Sequence, residues 1–409
     1  MHLHSSYTLS SESHPGKAIR KAIVTALWTL LFLIVFDVLI NFLFPYPSDP
    51  RIISPGPLNA YFEYGRSVEG KIARMVGPTD ELSSPIARAG WLDPELWKNL
   101  PATPQPDHDL LVAMYGMSFS AHVGEAMKEL NSRIALREIG GPSAPANHSF
   151  AAYTVDRGRH QADVVILGVL ASSVPALRAI NNMTWQFESP APYTYPKYFM
   201  EDGKLKAIWP KIRSLAQFRA AMQDKQQWDE FVNQMRKYDQ FSNSFLFKRN
   251  WLDNSVLVRL IRRSFAQHHQ EKLTNQIHNS AGFTAESEIK VLRGIVGEFA
   301  AMARSDGKLP IVLLFNNLGY DEHLFQALKP TLENASIPYV STHNIAPATD
   351  ARNFVGDGHF SPKADKLIAK AVLELIDKHI DPKSHKPIGK ADKMGIQSIR
   401  KTDLLPSQS

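Results

Sequence analysis

Residues 109–141 read DLLVAMYGMSFSAHVGEAMKELNSRIALREIGG. Leu110–Tyr115 is an apolar run closed by Gly116, the form taken by a strand buried on both faces. SAHVGEAMKELN then shifts to the spacing of an amphipathic helix. SRIALREIGG returns to a strand and ends on Gly140-Gly141. The alternation continues outward from this unit. ADVVILGVL (162–170), LPIVLLFNN (309–317) and SIPYVST (336–342) are further strand candidates, and SPKADKLIAKAVLELIDKHI (361–380) is a closing amphipathic helix. Strand-then-helix alternation predicts an α/β fold, a doubly wound parallel sheet with helices on both faces, over 106–380. A long insertion interrupts it at about 185–285. It opens with the aromatic, Pro-rich TWQFESPAPYTYPKYF (184–199) and continues through helical stretches at 215–238 and 254–273. An insertion of this size is expected to be a lid, a binding flap or an oligomerisation element.

Two short stretches carry residue types that can do chemistry. In Tyr115-Gly116-Met117-Ser118-Phe119-Ser120 a serine stands between a strand and a helix. The C-terminal end of a strand is where open α/β sheets bind ligands. The helix N-terminus behind it offers free N–H groups and the positive end of a dipole. Read alone, Ser118 is equally a helix cap. The second stretch is Val355-Gly356-Asp357-Gly358-His359-Phe360-Ser361-Pro362, before the final helix, whose N-cap is expected at Ser361 with Pro362 at its first position. An Asp and a His two residues apart can face one site, the carboxylate orienting the imidazole and the imidazole taking a proton from a serine hydroxyl. Read alone, Asp357 is equally a turn residue beside a surface His359. In a doubly wound sheet both stretches fall at the C-terminal edge.

The order Ser, Asp, His, with the last two adjacent in sequence, resembles the SGNH/GDSL hydrolase superfamily over roughly residues 106–380. The family's first block, Gly-Asp-Ser, aligns with Gly116-Met117-Ser118, with Met where the family has Asp. Its second block ends a strand on a glycine that donates an oxyanion N–H, the place held here by Gly140-Gly141. Its last block aligns with Asp357-Gly358-His359. The resemblance implies a flavodoxin-like three-layer fold, Ser118 as nucleophile, His359 as general base and Asp357 as the orienting carboxylate. The third block departs from the pattern. Where the family carries Gly-x-Asn-Asp, this chain reads Gly168-Val-Leu-Ala-Ser172-Ser173. Either Ser172, Ser173 or Asn147 donates instead, or catalysis is weak, or the natural reaction differs. Losing such a donor costs about 2.7–4 kcal/mol of transition-state stabilisation. The resemblance extends to SGNH-type proteins that acetylate or deacetylate exported polysaccharides, and implies an acyl-ester substrate, polysaccharide among the candidates. Trp185, Phe187, Tyr193, Tyr195 and Tyr198 then read either as a sugar platform or as packing of the insertion onto the sheet.

The run Ala22–Phe44 has 23 residues, mostly apolar, and as a helix spans about 34 Å, enough to cross a bilayer. Lys17, Arg20 and Lys21 precede it, and Pro45 and Pro47 end it. The expected topology is a cytoplasmic tail (1–21), an uncleaved single-pass signal anchor (22–44) in the inner membrane, and an extracytoplasmic C-terminal part. A cleaved signal peptide would carry a shorter apolar run. Asp37 and Asn41, one turn apart in this span, face either the outer headgroups or a membrane partner. Residues 45–105 read as a Pro-rich stalk and 381–409 as a basic tail. With 46 Lys+Arg against 40 Asp+Glu the formal charge is +6, spread too thinly for a nucleic-acid surface. The chain has no cysteine, which excludes disulfides, thiolate nucleophiles and Cys-ligated metals. No metal-ligand spacing such as His-Glu-x-x-His occurs, and neither metal nor cofactor is expected. The enzyme reading is a membrane-anchored serine esterase or O-acyltransferase. The alternative is a catalytically inactive scaffold in a cell-envelope complex, contacting its partner through the insertion.

Overall fold

The computed structural model describes residues 15–52 and 55–380; the expected tails up to residue 14 and from 381 lie outside the described residues. The strands are β1 (Leu110–Gly116), β2 (Ile134–Gly140), β3 (Val164–Leu170), β4 (Lys197–Glu201), β5 (Lys204–Ile208), β6 (His278–Asn279), β7 (Gly282–Phe283), β8 (Leu309–Phe315) and β9 (Tyr339–Ser341). The central sheet has the order β2-β1-β3-β8-β9 with every neighbouring pair parallel. The chain builds outward from β1 to β2, then crosses back to β3 and continues the other way. This is the flavodoxin-like doubly wound order, and its switch point lies between β1 and β3. Every residue of β1, β3 and β8 is buried, which accounts for their unbroken apolar reading.

Two helix pairs cover the sheet. The helices Ser118–Leu130 and Pro362–His379 pack on each other over one face; Ala146–Asp156 and Glu286–Ser305 pack on each other over the opposite face. The last helix starts as its sequence predicts, with Pro362 in its first turn and the Ser361 side chain accepting from Ala364 N–H.

The insertion contains more than helices. Its first element is the hairpin β4–β5, turned on Asp202-Gly203, both with positive φ (50° and 73°). Asp-Gly is a strong short-range hairpin signal for this reason. The stretch 215–238 is two helices, Leu215–Gln223 and Lys225–Tyr238, broken at Asp224, whose carboxylate caps the second by accepting from Gln226 and Gln227 N–H. The long helix Val256–Thr274 follows, N-capped by Ser255. Trp185, Phe187, Tyr193, Tyr195 and Tyr198 are all buried, none more than 8% exposed. Of the two readings of these aromatics, packing is the one the fold adopts: none presents a ring to a sugar.

The segment 45–105 is ordered in the short helices Pro57–Glu63, Val68–Met75 and Pro85–Arg88, and it folds back onto the domain instead of standing clear as a stalk. Val68, Ile72, Trp91 and Trp97 enter the common core, and the Trp91 ring lies 5.5 Å from that of Phe218 in the insertion. Burial of such side chains stabilises by about 1.5–3 kcal/mol each, enough to draw a Pro-rich segment onto the domain. At the N-terminus, the helix Pro15–Leu43 contains the span Gly16–Leu43, long and apolar enough to cross a membrane.

Candidate active site

The site is assembled at the C-terminal edge of the sheet beside the β1/β3 switch point. Ser118 is the first residue of its helix, two residues beyond Gly116 at the end of β1. Ser120 and Ala121 N–H both bond to Met117 C=O, closing the first turn. The N–H groups of Ser118 and Phe119 precede any helical acceptor and remain available to a ligand. His359 arrives from the opposite end of the fold, on the loop before the last helix. Its Nε2 lies 2.7 Å from Ser118 Oγ. The helix Pro362–His379 packs against Ser118–Leu130, and this pairing brings two residues 241 apart in sequence into one hydrogen bond.

The His359 ring is held by its neighbours. The Phe119 ring is 4.7 Å away at 30°, and the His122 ring 5.0 Å away at 48°. Asp357 Oδ1 accepts from the His359 backbone N–H at 3.1 Å. The same oxygen lies 3.1 Å from His359 Nδ1, an ion-pair distance, without the geometry of a full hydrogen bond. The Asp357 carboxyl is held below its usual range, first by the His359 backbone N–H and then by the ring. Its side chain is 68% exposed, unlike the buried carboxylate of a protease triad.

A second carboxylate lies beside His122. Asp365, on the last helix, is buried; its Oδ2 is 3.9 Å from His122 Nδ1 and its Oδ1 has no hydrogen-bond partner. Burial pushes its pKa up to about 6, opposed by the charge of His359. His122 is shifted down, mainly by burial and secondly by His359, with Asp357 acting in the other direction.

The expected oxyanion residues divide. Gly140 pairs with Gly116 in the β1–β2 register, so close that a Cβ on Gly140 would stand 2.1 Å from Gly116 C=O. Gly141 lies against the ring of Tyr193, whose hydroxyl donates to Pro142 C=O. Asn147 is fully buried and its Nδ2 donates to Pro196 C=O at 3.1 Å. Ser173 is buried and donates to Leu170 C=O at 2.8 Å. Both side-chain donors are thus bonded to main-chain carbonyls. Ser172 is different. Its N–H donates to Asn317 Oδ1 at 3.3 Å, and Asn317 Nδ2 donates back to its Oγ at 3.0 Å. That clamp leaves the Ser172 O–H free to donate.

Four residues of this neighbourhood, Phe119, His122, Asn317 and Asp365, are absent from the sequence-derived set. His122 carried a usable signal, since it stands four residues after Ser118 on one helix and shares its face. Asn317 carried a weaker one, a polar residue ending an apolar strand at the edge where ligands bind. Gly168 in the third block has a packing role. A Cβ there would stand 2.1 Å from Ser120 Oγ, which sits in the niche left by Gly116 and Gly168.

No family model matches this chain, and no curated protein matches it significantly. Among solved structures it is similar to an acetyl xylan esterase (Est2A) from the rumen bacterium Butyrivibrio proteoclasticus, at 10% identity and a TM-score of 0.31, over 67% of this chain. The match spans 65% of that structure's length.

Proposed function

We propose that this protein is a membrane-anchored serine ester hydrolase or O-acyltransferase of the SGNH type, its α/β domain extracytoplasmic and its substrate an acyl ester such as an acetylated exported polysaccharide. The observation that carries the reading is the 2.7 Å hydrogen bond between Ser118 Oγ and His359 Nε2, placed at the sheet's switch point. Ser118 donates its proton to His359 Nε2 as Oγ attacks the acyl carbon. The carbonyl oxygen gains the negative charge, facing the unpaired N–H groups at the start of the 118–130 helix, with Ser172 O–H as side-chain donor. Collapse of the tetrahedral intermediate breaks the ester C–O bond, and His359 returns the proton to the leaving alcohol. The resulting acyl-Ser118 is resolved by water in an esterase or by a sugar hydroxyl in a transferase.

The second reading is a scaffold that keeps the fold without turnover. It is favoured by the exposed Asp357 and by Met117 where the family has Asp, its side chain buried in the core. Treating the full-length protein in detergent with a fluorophosphonate probe separates the two. Labelling that disappears in Ser118→Ala and His359→Ala supports an activated serine. A folded wild-type protein that takes no label supports the scaffold.

A further inference from the structure

The anchor helix is bonded to the insertion through the two polar residues inside its apolar span. Asp37 Oδ1 accepts from Ser255 Oγ at 2.9 Å and from Leu257 N–H at 2.8 Å, so it caps the N-terminus of the helix Val256–Thr274. Asn41 donates to Asn254 C=O at 3.1 Å and accepts from Arg259 at 2.7 Å; Arg259 also reaches Glu63 at 2.5 Å. These contacts hold the start of the insertion helix at the level of Asp37, with Asn254 and Arg259 on either side bonded to Asn41. Asp37 precedes the end of the anchor helix at Leu43 by six residues, about 9 Å along the axis. The insertion therefore reaches below the top of the span.

The residues beside this contact are suited to lipid. Trp251, just before the helix, is 79% exposed, and Lys248, Arg249 and Asn250 beside it are exposed too. Ile261, one turn after Leu257, is 63% exposed. An exposed Trp flanked by basic residues, continuous with a membrane-spanning helix, is the composition of a membrane–water interface. We infer that the insertion forms a second membrane contact, with Trp251 and Ile261 entering the headgroup–acyl boundary beside the anchor and Lys248 and Arg249 meeting lipid phosphates. The inference rests on the anchor reading of residues 22–44. It assigns Asp37 and Asn41 to a contact within the chain, and it holds the catalytic domain at a set height over the membrane instead of on a free tether.

The absence of cysteine makes site-directed spin labelling clean. The full-length chain, in nanodiscs of phosphatidylethanolamine and phosphatidylglycerol, would carry a nitroxide at one position at a time through Phe32→Cys, Asn250→Cys or Lys204→Cys. Collisions with oxygen report lipid, and collisions with a water-soluble nickel chelate report water. The expected result is lipid exposure at 32, free nickel access at 204, and loss of nickel access at 250. Adding Trp251→Glu to the 250 label should restore nickel access to the level at 204, because that exposed side chain seats the loop and not the fold. Nickel access at 250 equal to that at 204, with 32 in lipid, overturns the inference and leaves the anchor standing. Water exposure at 32 as well overturns the anchor reading and the inference together. Continued shielding of 250 in the Trp251→Glu protein overturns the role given to Trp251.

Discussion

Asp357→Asn should leave most of the serine's reactivity intact. In a serine-protease triad the orienting carboxylate is buried and accepts the imidazole Nδ1–H, and replacing it by an amide lowers kcat by about 10⁴-fold. Here the carboxylate is 68% exposed, and Nδ1 makes no hydrogen bond to it at 3.1 Å. What remains is an ion pair in water with the imidazolium formed as Ser118 loses its proton. Exposed pairs of this kind change an equilibrium by about fivefold at most. The second contact of the carboxylate survives the change, because the Asn amide oxygen still accepts from the His359 backbone N–H that Asp357 Oδ1 holds at 3.1 Å. The substitution thus removes charge while keeping the loop. The assay is the second-order rate of fluorophosphonate labelling of the full-length protein, or hydrolysis of an aryl acetate, beside wild type and Ser118→Ala. The expected loss is no more than about fivefold for Asp357→Asn, with complete loss for Ser118→Ala. A loss of about 10³-fold or more in a folded Asp357→Asn protein would refute the reasoning. It would mean that Asp357 swings onto Nδ1 in the working enzyme.

Three other outcomes follow from the same geometry. Ser172→Ala should lower kcat by about 10²-fold with KM little changed, as removal of an oxyanion donor does; an unchanged kcat in steady-state assays would remove Ser172 from the site. His148 is buried with its Nε2–H on Gly90 C=O at 2.7 Å, and burial lowers its pKa to about 4, against 6.5 unfolded. Its contribution is complete above pH 6.5 and is lost as pH falls through about 4, worth about 3 kcal/mol at about 1.4 kcal/mol per pH unit. Urea titrations should show that acid slope in wild type and a shallower one in His148→Gln. Asp365 has the opposite sign. Its pKa is raised from 3.8 to about 6, so the stability present below pH 3.8 is lost as pH rises through 6. Asp365→Asn should therefore raise the melting temperature at pH 8 and leave it unchanged at pH 4, and equal shifts at both would exclude an ionised Asp365 as the cause.

The sheet was readable because its physics is local. β1, β3 and β8 are buried along their whole length, and a strand buried on both faces has no choice but to be apolar. The cap at Ser361 and the first-turn proline are equally local and fall where the residues place them. The packing of residues 57–97 was not readable. Prolines there describe the backbone between short helices, whereas the destination of Trp91 is set by Phe218, more than a hundred residues on. The aromatic run at 185–198 is ambiguous for the same reason, since a buried ring and a sugar-stacking ring are written with the same letter.

The polar contacts at the site follow that division. Ser118 and His359 could be paired from sequence because each sits at a strand or helix end that the topology must bring to one edge. The partner of Ser172 could not, because Asn317 comes from the loop after β8, 145 residues away. The third block reads as degenerate when searched for an asparagine at its own position. In space an asparagine does stand beside it: Asn317, from the loop after β8, is bonded to Ser172 just beyond β3. An asparagine from a neighbouring loop can orient a serine hydroxyl where a local asparagine would have donated directly. That relay costs one more hydrogen bond to keep in register. It predicts that Asn317→Ala impairs turnover less than Ser172→Ala, and that the double variant is no worse than Ser172→Ala alone. Additive losses in the double variant would show that Asn317 acts on its own account, and the relay would have to be given up.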